Sequence, residues 1–208
     1  MLALFVWPAA AGETLPKLVK KVEPAVVTLR SYDASGKLLV QGSGFLVNPS
    51  GRVVTSRHVV SGAARVDATT NDGTVLRASS IQAEDATADL AVLLLHQPGK
   101  HWRSLQVRRG MPDVGQTVLV VGSPLGFERS VSTGIVSAIR NVAGVGMVLQ
   151  MTAPISPGSS GSPVVNLDGE VIGIVRSQRE EGQNLNFAVP AERVLMLTPA
   201  PGPTALLR

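Results

Sequence analysis

The chain has 208 residues, 44% hydrophobic and 16% charged, which suits one globular unit or two small packed ones sharing a site. Its net charge is +4, but the basic residues are scattered: Lys20-Lys21 and Arg108-Arg109 are single pairs, not the clustered footprint that nucleic-acid binding needs. With no cysteine, disulfides, thiolate metal sites and a Cys nucleophile are excluded; His58, His96 and His101 also lack helical zinc spacing, so neither metal nor cofactor is expected.

Residues 1–12 carry a short apolar run ending in Ala9-Ala10-Ala11, too short to span a bilayer. It reads as the later part of a secretory signal, or as a disordered tail; the first reading places the protein in the bacterial envelope, periplasmic or secreted. Leu15, Leu18, Val19 and Val22 recur at helical spacing between Thr14, a candidate cap, and Pro24. Strands are then expected over 25–32, 37–41, 43–48, 52–56, 65–68, 75–79 and 91–95, with Asn71-Asp72-Gly73 as a hairpin turn. A polar stretch over 97–112 reads as a linker. Further strands are expected over 117–122, 130–139, 147–152, 164–166, 170–176 and 186–189, then a short helix from Pro190 and a Pro-rich tail over 198–208. Two successive sets of short strands predict an all-β fold. It would comprise two antiparallel six-stranded β-barrels, about 25–97 and about 113–190, with short peripheral helices, in one domain over 13–197.

The stretch from Ala153 to Pro163 crowds glycines and small residues around a central serine. Such a loop turns backbone N–H groups toward one point, as an oxyanion hole requires; it is equally what a flexible turn looks like. A serine hydroxyl needs a base, and the base an orienting carboxylate. His58 follows the strand over 52–56, and Asp89 immediately precedes an apolar strand. Asp85 is the alternative carboxylate, while His96 and His101 lie beside the linker. Histidine and aspartate would come from the first barrel and serine from the second, placing a site in the cleft between them.

At this point the chain resembles the protease domain of the HtrA/Deg group of trypsin-like serine proteases. The resemblance rests on Gly42-Ser43-Gly44-Phe45, Val54-Thr55-Ser56-Arg57-His58-Val59, Ala88-Asp89-Leu90-Ala91-Val92-Leu93, Gly122-Ser123-Pro124-Leu125-Gly126, Thr133-Gly134-Ile135-Val136-Ser137-Ala138, Pro157-Gly158-Ser159-Ser160-Gly161-Ser162-Pro163 and Asn186-Phe187-Ala188-Val189-Pro190, in the family's order. It implies the chymotrypsin-like double barrel, with His58 as base, Asp89 as orienting acid and Ser160 as nucleophile. It further implies an oxyanion hole of the Gly158 and Ser160 N–H groups, and Ile155 with Val175, Arg176 and Ser177 around the pocket for the residue before the scissile bond.

The chain departs from the family pattern at Ser159, often Asn, and at Ser162, often Gly; a positive φ at Ser162 would cost about 1 kcal/mol. Arg57 puts a cation beside the histidine. The implied function is endoproteolysis of unfolded or misfolded polypeptides in envelope quality control. The alternative is a weakly active or inactive protease fold that binds polypeptide as a chaperone module. Polypeptide is the expected partner. No PDZ domain is expected in this chain; a homo-oligomer is left open, with few aromatics available for a trimer contact.

Overall fold

In the computed structural model, residues 14–122, 130–178 and 186–197 are described. The expected signal-like segment, the tail over 198–208 and most of the 122–126 motif lie outside them. Among the described residues the strands close into two antiparallel barrels. The first comprises β1 (Val26–Tyr32), β2 (Leu38–Leu46), β3 (Arg52–Ser56), β4 (Arg65–Thr69), β5 (Val75–Asp85) and β6 (Leu90–Leu95), in the order β1-β2-β3-β6-β5-β4. The second comprises β7 (Thr117–Gly122), β8 (Ser130–Val142), β9 (Gly146–Met151), β10 (Pro163–Val165), β11 (Val171–Gln178) and β12 (Asn186–Pro190). Read from β7, its order β7-β8-β9-β12-β11-β10 repeats that of the first, although the sequence carries no visible repeat.

The expected break at Gly42 is absent: the two strands predicted over 37–48 are the single strand β2. Gly42 serves close approach rather than a turn. A Cβ there would stand 2.6 Å from Val59 Cγ2 and 3.1 Å from the Ser160 carbonyl oxygen. Helix α1 (Leu15–Val22) forms as its periodicity predicts, and Leu18 and Val22 are fully buried. Thr14 holds the N-cap position without a side-chain cap bond; its carbonyl instead accepts from the Lys17 and Leu18 N–H groups at 2.9 and 3.0 Å. The last helix, α3, is one turn, Glu192–Leu195.

Alternation explains how the barrels join. Along β7, Val118 and Val120 point into the second barrel's interior, whereas Leu119 and Val121 point outward into the first barrel's core. Val165, Val171, Ile174, Val189 and Ala191 do the same, so the seam between barrels is continuous apolar core. Each Val, Leu or Ile side chain among them contributes about 1.5–3 kcal/mol of burial.

A charged staple ties α3 to the first barrel. Asp85 Oδ2 accepts from Arg193 Nη2 of α3 at 2.8 Å, and Asp85 Oδ1 accepts from the Ala88 N–H at 2.9 Å. Burial pushes the Asp85 carboxyl up, but the Ala88 N–H and the Arg193 guanidinium outweigh it and hold the carboxyl below its usual range. The folded form therefore binds this proton more weakly than the unfolded chain. Its contribution is complete above about pH 4 and is lost as pH falls through the depressed folded value. Because both side chains are partly exposed, Asp85→Asn is expected to lower stability by only about 0.5–1 kcal/mol at pH 7. Urea midpoints should show that gap to the parent narrowing as pH falls below about 4; a gap that stays constant would remove the carboxylate from the account.

Candidate active site

Strand β3 ends in the single helical turn α2 (Arg57–Val60), which lifts His58 off the barrel. The Asp89 carbonyl accepts from the Arg57 N–H at 2.9 Å, and its Oδ1 accepts from the His58 N–H at 2.9 Å. Its Oδ2 lies 2.6 Å from His58 Nδ1. One residue thus grips the turn by backbone and carboxylate together. The carboxylate partner assigns the proton to Nδ1 and leaves Nε2 to accept. The imidazole is 44% exposed, open to a substrate, while the Asp89 side chain is 14% exposed.

The backbone at Asp89 explains this reach. Its φ is +57°, and among the described residues it alone combines a positive φ with a side chain larger than hydrogen. Aspartate tolerates the left-handed region better than most residues, yet the conformation still costs on the order of 1 kcal/mol. The alternative carboxylate, Asp85, is committed to Arg193 and Ala88 instead. Arg57 turns toward Glu84, with Nε 3.7 Å from Oε1. His96 and His101 are exposed in the linker region.

Ser160 sits on the loop before β10. Its hydroxyl donates to the Arg176 carbonyl at 3.2 Å, and among the described residues it makes no hydrogen bond to His58. Hydrogen bonds within an unliganded catalytic site are often long or misaligned. The loop carrying Ser160 is nonetheless seated against the first barrel on the His58 side. The Ser160 carbonyl accepts from the Ser43 N–H at 2.8 Å, and a Cβ on Gly161 would lie 2.9 Å from Ser56 N, two residues before the histidine. The Ser56 hydroxyl crosses to the Val175 carbonyl at 3.0 Å instead of capping α2.

The loop's backbone groups have a definite accounting. Ser159 N–H donates to Ser156 O at 2.9 Å, Gly161 N–H to Val175 O at 2.8 Å and Ser162 N–H to Ser159 O at 2.9 Å. Among the described residues, the Gly158 and Ser160 N–H groups donate to nothing. Gly158 has φ +93°, which only glycine adopts readily.

The two departures from the family pattern are accommodated. Ser159 is buried, and its hydroxyl accepts from the Ser156 N–H at 3.2 Å, closing the loop on itself. Ser162 is fully buried without a positive φ, so replacing glycine there stores no backbone strain. Its hydroxyl has no hydrogen-bond partner among the described residues, and it fits because position 122 is glycine, where a Cβ would stand 2.2 Å away.

Of the expected pocket residues, Ile155 and Val175 belong to the apolar core of the second barrel, 8% and 1% exposed. Arg176 is half-buried and falls at a bulge: Val175 pairs with Ala188 and Ser177 with Phe187, leaving Arg176 the extra residue. The side chain of Ser177 lies outside what is described. Sequence reasoning singled out the Gly42-Ser43-Gly44 motif without giving it a role. Ser43, fully buried, bonds to the serine loop twice, and glycines on both sides of a serine inside a strand are the signal for such close approach.

Two closed barrels with a serine, an Asp-gripped histidine and unengaged loop N–H groups at their junction define a trypsin-like peptidase domain. The family model described as "Trypsin-like peptidase domain" matches residues 42–174, and the chain belongs to that family. Within it the chain falls with the HtrA/Deg proteases, over their protease domain. It is 41% identical over 167 residues to the "Probable periplasmic serine endoprotease DegP-like" of Ectopseudomonas mendocina, covering 76% of this chain and 34% of that protein. To the serine protease HTRA1A of Danio rerio it is 34% identical over 189 residues, covering 85% of this chain and 39% of that one. The chain therefore spans well under half the length of these curated relatives. Its fold matches a crystal structure of the serine endoprotease from Yersinia pestis with a TM-score of 0.76 at 28% identity, covering 88% of this chain and 65% of that one.

Proposed function

We propose that this domain is a serine endopeptidase acting on unfolded or misfolded polypeptides, with His58, Asp89 and Ser160 as its triad. The observation that carries the reading is the 2.6 Å contact between His58 Nδ1 and Asp89 Oδ2, made by a residue held in left-handed backbone. In the reaction Ser160 Oγ leaves the Arg176 carbonyl, passes its proton to His58 Nε2 and attacks the scissile carbonyl carbon. The imidazolium is stabilised by the Asp89 carboxylate, which stays ionised. Negative charge develops on the carbonyl oxygen, and the Gly158 and Ser160 N–H groups receive it. Loss of one such donor raises the barrier by about 3 kcal/mol. The tetrahedral adduct collapses as His58 returns the proton to the leaving amine, and water releases the acyl group by the same route. In this reading the pocket for the residue before the cleaved bond lies along Ile155 and Arg176, with Val175, 1% exposed, behind it in the core. The names of the periplasmic relatives, with the signal-like opening of the sequence, support a role in the bacterial envelope.

A fluorophosphonate probe tests the reading directly. It is expected to label the folded chain at Ser160, shown by peptide mapping, and to leave Ser160→Ala unlabelled. Folded protein that takes no label would point instead to the chaperone-like reading, which the engagement of the Ser160 hydroxyl by Arg176 favours.

A further inference from the structure

The peptide planes on either side of the Ser159–Ser160 peptide unit are each held at both ends. In the 158–159 plane, the carbonyl oxygen accepts from Ser43 Oγ at 2.9 Å and the N–H donates to Ser156 O at 2.9 Å. In the 160–161 plane, the carbonyl oxygen accepts from Ser43 N at 2.8 Å and the N–H donates to Val175 O at 2.8 Å. One residue of the first barrel therefore supplies a donor to both planes. A peptide unit is rigid, so fixing its two ends fixes its orientation. The Ser160 N–H lies in the plane between these two, and the Gly158 N–H in the plane before them.

Ser43 is itself locked. It is fully buried on β2, and its carbonyl accepts from the Thr55 hydroxyl at 2.7 Å. The glycines around it let the loop come this close. A Cβ on Gly42 would stand 3.1 Å from the Ser160 carbonyl oxygen, and one on Gly161 would stand 2.1 Å from the Ser43 carbonyl oxygen. The Gly42-Ser43-Gly44 motif is thus a buckle between the barrels, fastened onto the nucleophile loop.

We propose that Ser43 is a positioning residue: its hydroxyl and N–H, anchored on the first barrel, aim the Gly158 and Ser160 N–H groups at the developing oxyanion. This rests on the protease reading above for its catalytic consequence, but not for its structural one. In Ser43→Ala, which removes the hydroxyl and keeps the N–H, amide hydrogen exchange at Ser159 is expected to quicken about tenfold, with Gly161 and the barrel amides elsewhere unchanged. On a peptide substrate kcat is expected to fall about tenfold with KM within twofold, the mark of an interaction realised in the transition state. Ser43→Cys keeps nearly the same volume with a weaker donor; it should shift both readouts in the same direction, and it serves if the alanine variant does not fold. Parent-level exchange and kcat in a folded variant would overturn the proposal. So would exchange that rises uniformly through the barrels, since that marks a merely structural role. Localised faster exchange in a chain whose parent cleaves nothing would uphold the positioning and sink the protease reading instead.

Discussion

Replacing Ser160 with alanine is expected to lower casein hydrolysis by about a million-fold, the magnitude of removing a triad nucleophile. The fold should survive. In the resting site the hydroxyl makes one bond of 3.2 Å to the Arg176 carbonyl, from a residue that is only half-buried. Losing such a bond costs about 1 kcal/mol, and alanine leaves the Ser160 carbonyl and its bond to Ser43 N intact. Circular dichroism and a melting curve close to the parent's should therefore accompany the lost turnover. Hydrolysis persisting near the parent rate would remove Ser160 from the chemistry, and with it the cleft as the site.

Gly161→Ala should do the reverse, damaging structure and activity together. The residue has φ +86°, and a Cβ there would meet the Ser43 carbonyl oxygen at 2.1 Å, Thr55 Oγ1 at 2.4 Å and Ser56 N at 2.9 Å. Two of these are backbone atoms of the first barrel, which cannot step aside as a flexible side chain does. Left-handed strain of about 1–2 kcal/mol adds to an overpacking cost of about 1–3 kcal/mol, so a loss of roughly 3–4 kcal/mol is expected. Gly73→Ala is the control: φ is +81° there, but nothing lies within 4 Å, and only the strain should appear. Denaturant midpoints of the two variants separate the terms. Equal midpoints would mean that the serine loop is not wedged against β2 and β3.

The parts of this molecule written in local pattern are legible in its sequence. Short apolar runs bounded by turn residues mark most strands, and Asn71-Asp72-Gly73 turns as expected, with Gly73 at φ +81° and the Thr70 N–H bonded to the Thr74 carbonyl at 2.9 Å. The Asp72 carboxylate there accepts from the Thr70 hydroxyl and the Thr74 N–H, which hold it well below the usual carboxylate range. What the sequence conceals is non-local. Gly42 reads as a break because a lone glycine in a strand has no partner along the chain; its partners, Val59 and Ser160, come from elsewhere. The left-handed φ at Asp89 arises where the first barrel brings it against the turn at Arg57 and His58, and the two-handed grip of Ser43 only once the barrels meet. The proposed triad was visible because the family motifs carry it. The way its loop is held was not, since a serine inside a strand gives no hint of which carbonyls it will find.

The shared seam has a consequence for how the molecule comes apart. Leu119, Val121, Ile174 and Val189 of the second barrel lie in one apolar cluster with Leu29, Phe45 and Leu93 of the first, so melting either half strips the cover from the other's apolar seam. Cooperativity then spans the whole fold, and heat or denaturant should dismantle it in a single transition. Prying the halves apart would expose that oily seam, so the seam itself holds the two barrels at a fixed spacing.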